Sequence, residues 1–118
     1  MAVVSSHTLD SVTGAHAGGV AVALWRIATD GARTLVFDTA TDAGGRLNET
    51  VAVAADDTDA RYELVLGAGR YFAAQPGSAG GRRIVEELVV RFRMPDPDGR
   101  YHIPLMLAPN SCSVWWSS

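Results

Sequence analysis

A two-residue period restricts the fold of this chain more than any other feature. Leu88, Val90, Phe92 and Met94 alternate with Glu87, Val89, Arg91 and Arg93. Successive side chains of a β-strand point to opposite faces, so this run buries one face and leaves the other mostly polar. Tyr62, Leu64 and Leu66 oppose Arg61 and Glu63 in the same way. β-type runs recur at residues 4–11, 20–28, 34–39, 46–51, 61–66, 84–94, 101–107 and 112–116. Between them lie turn signals at Thr13-Gly14, Asp42-Ala43-Gly44-Gly45 and Pro95-Asp96-Pro97-Asp98-Gly99. Short strands punctuated in this way predict an all-β antiparallel sandwich, eight strands in two sheets of four. Residues 68–75 break the alternation and stop at Pro76-Gly77, which predicts one short helix, and residues 75–81 read as a loose loop.

With 118 residues and no internal repeat or linker, residues 1–118 form a single domain large enough to bury about two-thirds of its unfolded surface. The formal charge of −3, with no basic stripe, argues against a nucleic-acid partner. No apolar run approaches the roughly 20 residues that cross a bilayer, so no membrane partner is expected. The opening residues lack a basic region followed by a long apolar core, and one cysteine cannot close an intramolecular disulfide. Both observations read as cytoplasmic. The acidic cluster at residues 56–59 lacks the ligand spacing of a calcium loop and reads as a solvated loop. Every one of the 10 basic residues is arginine, which excludes a Schiff-base lysine and a Walker-type phosphate loop.

The chemistry-bearing residues are few. In the run from Arg100 to Pro109, alternation sets Ile103, Leu105 and Leu107 on one face and His102, Pro104 and Met106 on the other, so His102 points away from the core. His7 lies in the first strand and Arg46 follows a glycine turn. Together these three are the grouping suited to catalysis. His16, inside the Gly14-Ala15-His16-Ala17-Gly18-Gly19 turn, reads as exposed and without a role. A lone strand histidine is often structural, and His7, His102 and Cys112 lack the paired spacing of zinc ligands, so no metal is expected. There is no Gly-x-Ser-x-Gly elbow to support a serine nucleophile.

Five segments, in order, carry a resemblance. They are Ser6-His7-Thr8-Leu9-Asp10, Gly18-Gly19-Val20-Ala21-Val22, Thr41-Asp42-Ala43-Gly44-Gly45-Arg46, Gly69-Arg70-Tyr71-Phe72-Ala73 and Tyr101-His102-Ile103-Pro104-Leu105-Met106-Leu107-Ala108-Pro109. The chain resembles the transthyretin-like 5-hydroxyisourate hydrolases over nearly its whole length. The resemblance implies an eight-stranded sandwich with one short helix, assembled as a homotetramer with active sites at the dimer–dimer interface. It implies cofactor-independent hydrolytic opening of a cyclic ureide at an acyl C–N bond. His7, His102 and Arg46 match the family's active-site histidines and arginine.

The end of the chain departs from the family. The hydrolases finish in Tyr-Arg-Gly-Ser, a tail that lines the site, whereas this chain finishes Trp115-Trp116-Ser117-Ser118. Two indoles replace a phenol and a guanidinium, exchanging polar anchors for flat apolar surface. The resemblance therefore makes Trp115, Trp116 and Ser118 the substrate-binding candidates and points to a small cyclic substrate changed from 5-hydroxyisourate. Ring closure or isomerisation in specialised metabolism is an alternative on the same scaffold. So is a non-catalytic binder of an aromatic ligand.

Overall fold

The computed structural model describes residues 1–76 and 82–117. Ser118 and the part of the expected loop from residue 77 to 81 lie outside the described residues. Among the described residues are nine strands, one more than expected, and one helix: β1 (Ala2–Asp10), β2 (Ala21–Ile27), β3 (Arg33–Ala40), β4 (Arg46–Val51), β5 (Arg61–Leu66), α1 (Ala68–Ala73), β6 (Leu88–Arg93), β7 (Arg100–His102), β8 (Leu105–Ala108) and β9 (Ser111–Val114). One sheet runs β4-β1-β8-β9, with β7 also on β1, and the other runs β3-β2-β5-β6. The β-sandwich with one short helix is the architecture that the alternation predicts. Among the described residues no helix is long and apolar enough to cross a membrane.

Between the sheets, Val4, Leu24, Tyr62, Leu64, Leu66, Met94, Leu105 and Leu107 are fully buried. In β6, Leu88, Val90 and Phe92 turn inward and Met94 just beyond the strand is buried, as their period requires. The strand is shorter than the expected run of residues 84–94. Before it, the backbone amides of Ile84 and Val85 donate to Asn110 Oδ1, so that segment is held to the loop before β9 instead of to a neighbouring strand.

The pairings of β1 matter most for the site. β4 runs antiparallel to it, whereas β7 and β8 run parallel, so the sandwich is not antiparallel throughout. The expected single strand at residues 101–107 is interrupted at Ile103-Pro104, because proline has no N–H to give to the ladder. The register on β1 resumes unchanged beyond the break, from Ser5 against His102 to Thr8 against Leu105. Pro104 itself is buried, although alternation sets it on the outward face beside His102 and Met106.

Alternate residues of β1 face the core, but three of these, Ser6, Thr8 and Asp10, are polar. Burial of such groups is tolerated because each is hydrogen-bonded. Ser6 Oγ donates to the Ile103 carbonyl at 2.6 Å, and Thr8 Oγ1 donates to the Ala17 carbonyl at 2.7 Å. Asp10 Oδ1 accepts from the amides of Val12 and Thr13, and Oδ2 accepts from the Tyr71 hydroxyl of α1 at 2.9 Å. Burial and the neighbouring carboxylate push the Tyr71 phenol up to about 12, so it remains a donor. These bonds fix the turn after β1 against the strand, and a second contact of Thr8 Oγ1, to the Gly45 carbonyl at 3.2 Å, does the same for the turn before β4.

Candidate active site

The outward face of β1 carries Ser5 and His7, both half-buried. Arg46, the first residue of β4, stands directly across the ladder from His7. Its approach is set by a tight turn. Asp42 Oδ1 accepts from the amides of Gly44 and Arg46 at 2.9 Å each, and Gly45 adopts φ +74°. A Cβ on Gly45 would stand 2.4 Å from the Thr8 carbonyl oxygen, so only glycine fits there. Arg46 is exposed, and no ion pair joins it to a described carboxylate.

His102 reaches the same face from the other side of β1, opposite Ser5. Ser5 Oγ lies 2.9 Å from His102 Nδ1, which leaves Nε2 as the nitrogen open to chemistry. The backbone of His102 also pairs with the tail: its amide donates to the Ser117 carbonyl at 3.1 Å and its carbonyl accepts from the Ser117 amide at 2.8 Å. Three adjacent strands thus bring Arg46, His7 and His102 onto one face, as expected from their sequence positions.

Of the residues expected to bind substrate, Ser118 lies outside the described residues. Trp115 and Trp116 line a cleft of about 410 Å³ with Val90, Phe92, Pro95, Tyr101, Ile103 and Val114, at the open edge between β6 and β9. His7, Arg46 and His102 are not among its walls. Nor do they line the cavities of about 720 Å³ and 500 Å³ elsewhere on the chain. The histidine face is a surface of this chain, not the floor of one of these cavities. Among the described residues, no three histidine, cysteine or carboxylate side chains gather as metal ligands.

One functional candidate was missed by the sequence. His16 is exposed as expected, but its Nδ1 lies 2.9 Å from His7 Nε2, so the reading that it has no role does not survive the geometry. The turn after β1 folds back with Leu9 bridged to His16. Antiparallel partners share a face, so His16 falls diagonally across from His7. A turn centred on Val12-Thr13 was the signal that would have found it. Ser5, the partner of His102, is legible by the same alternation along β1.

The electrostatics of the face favour a neutral His7. Burial, then the Arg46 guanidinium, then His16 lower its pKa from the usual 6.5, while the Gly44 backbone, which favours the charged ring, pulls the other way. A neutral imidazole beside a fixed guanidinium can accept a proton from water while the cation holds a developing oxyanion.

Comparison with known proteins agrees with this fold. Residues 4–116 match the model of the HIUase/Transthyretin family. The chain is 34% identical over 115 residues to the 5-hydroxyisourate hydrolase of Mesorhizobium japonicum, covering 97% of this chain and 90% of the relative. The crystal structure of (S)-allantoin synthase superposes with a TM-score of 0.82 at 28% identity, over 99% of this chain and 44% of that longer one. Sea bream transthyretin in complex with thyroxine superposes with a TM-score of 0.79 at 25% identity, over 97% of this chain and 93% of the other.

Proposed function

The chain belongs to the HIUase/transthyretin family, and we propose that it hydrolyses a cyclic ureide with His7, Arg46 and His102 as its catalytic residues. One observation carries this reading: β1 stands between β4 and β7, so its His7 has Arg46 across one ladder and His102 across the other, diagonally, on a common outward face. His7, held neutral, takes a proton from water at the ring nitrogen not bonded to His16 as the oxygen attacks the ring carbonyl. Arg46 donates to the carbonyl oxygen as it gains charge. The C–N bond then breaks and the proton gained by His7 is returned to the departing nitrogen by way of His102 Nε2, so water ends as the hydroxyl of the new acid and the N–H of the opened ring, and both imidazoles end as they began. No group beyond these side chains and water is needed for the balance.

Enclosure is the missing element. Water-exposed dipoles stabilise charge poorly, and none of the three residues sits in the cavities described above. A homotetramer in which two such faces meet would supply the cover, which supports the dimer–dimer interface as the place of catalysis.

The tail supports a changed substrate. Ser117 pairs with His102 while the preceding indoles line the edge cleft, so the tail joins the catalytic face to an apolar wall. A site that paired the polar edges of 5-hydroxyisourate would lose those partners here, and unpaired buried polar groups are costly. The cleft also favours a second reading, binding of a flat aromatic ligand without turnover.

The experiment compares the native chain with a Trp115→Tyr, Trp116→Arg, Ser117→Gly variant on freshly generated 5-hydroxyisourate. Slow hydrolysis by the native chain and a rate at least about tenfold higher in the variant are expected. Equal and efficient hydrolysis by both would overturn the changed substrate, and no hydrolysis by either would favour the binding reading.

A further inference from the structure

We propose that His7 and His16 form one hydrogen-bonded imidazole pair, in which His16 is a positioning residue that fixes the His7 ring and shares the proton it takes up. The inference rests on the catalytic reading of His7. Its basis is the 2.9 Å separation of His7 Nε2 and His16 Nδ1, with ring centroids 4.9 Å apart and planes tilted by 35°.

At this separation one hydrogen lies between the rings. Two neutral imidazoles satisfy the contact when one nitrogen donates and the other accepts. A single added proton keeps that bridge and places its charge on the pair. A second would set two N–H groups against each other, so it is harder to add than the first. A proton gained from water at His7 is thereby spread over two rings, whereas a solitary imidazole would hold it alone beside the Arg46 cation.

The backbone is built to hold this contact. On either side of the Leu9 and His16 bridge, the Asp10 amide donates to the Ala15 carbonyl at 2.8 Å and the Ala17 amide donates to the Thr8 carbonyl at 2.9 Å. The buried Asp10 carboxylate clamps the turn through Val12 and Thr13 and ties it to α1 through Tyr71. The charged and titratable groups facing His7 are Arg46 from β4, His16 from the turn and His102 from β7. The nearby carboxylates of Asp42 and Asp10 are engaged by the turns. No described carboxylate forms an ion pair with either imidazole. The pair's second ring thus does what an acidic orienter does in other acid–base sites, without adding a negative charge to the face.

The test reads the rings directly. Nitrogen-15 NMR titration of the full chain is compared with that of His16→Ala and His16→Asn, substitutions of an exposed side chain whose strand pairing is made by backbone alone. In the native chain both rings are expected to respond in a first shared step and again in a second at lower pH. In His16→Ala, His7 should titrate in a single step and lose its fixed tautomer. In His16→Asn, where the amide oxygen takes the place of Nδ1 as acceptor from the His7 ring, the tautomer should be kept while titration is single-step. Turnover of freshly generated 5-hydroxyisourate, measured in whichever tail background is faster, should show kcat falling about tenfold in His16→Ala with KM nearly unchanged, and largely restored in His16→Asn. Independent single-step titrations in the native chain, unaffected by His16→Ala, would overturn the pair. A confirmed pair with unchanged kcat would overturn its positioning role. Because the NMR needs no substrate, absence of hydrolysis overturns the catalytic reading and leaves the pair itself measurable.

Discussion

The histidine face and the tryptophan cleft divide between them what an enclosed active site combines. The face carries Arg46, His7, His16 and His102 on strands and turns fixed by buried hydrogen bonds, but lines none of the cavities described on the single chain. The cleft encloses about 410 Å³ between indoles, Phe92 and Tyr101, but holds no histidine or carboxylate. Face and cleft are joined through the pairing of Ser117 with His102. Rigid placement of reactive groups and provision of a binding wall are thus separable tasks, served here by different strands.

Substitution on each side should give the largest contrast. His102→Ala is expected to lower kcat about a hundredfold or more, with thermal unfolding nearly unchanged because the side chain is only half-buried. Trp116→Ala, at a residue 63% exposed, should raise KM while kcat stays within about threefold. An equal fall of kcat in both variants would break the division.

Assembly sharpens the comparison next. Light scattering at dilute concentration should give about four chains, and dilution into smaller species should reduce turnover by about tenfold as the face loses its cover. Full activity in a stable monomer would show that the face is complete without a second copy.

The smallest effect concerns pH and stability. The folded pKa of His7 is lowered, so the unfolded chain takes up its proton first as pH falls through 6.5. The His7 contribution is fully present above 6.5 and is lost as pH falls towards the lower folded value. His7→Gln should therefore flatten the decline of Tm between about pH 7 and pH 5, and Trp116→Ala should not. A slope unchanged by His7→Gln would place the titrating group elsewhere.

What the sequence revealed follows the range of each interaction. The inward faces of β5 and β6 were legible because alternation is local, and the β-sandwich follows from their number. His7, Arg46 and His102 were recognisable as separate motifs. The break at Pro104 was readable in principle from the missing N–H, but its burial depends on what packs against it. His16 was lost because a hydrophilic glycine-rich turn looks inert until it is folded back on β1. Alternation lets at most one of the two indoles face the site, but it does not say which neighbouring sheet edge will receive them. That depends on β6, more than twenty residues upstream.

The parallel seating of β1 against β7 and β8 has a consequence for how the protein comes into being. Ser5 and His102 are 97 positions apart in sequence, so their contact closes nearly the whole chain into a loop. Such closure carries an entropic cost that grows slowly with length, and pairings of this separation form late and slowly. As a chain leaves the ribosome, β1 with His7 is made before β7 and β8 and waits for these parallel neighbours until the strands between have been synthesised. Until β7 docks beside β1, a nascent chain therefore keeps His7 and His102 apart.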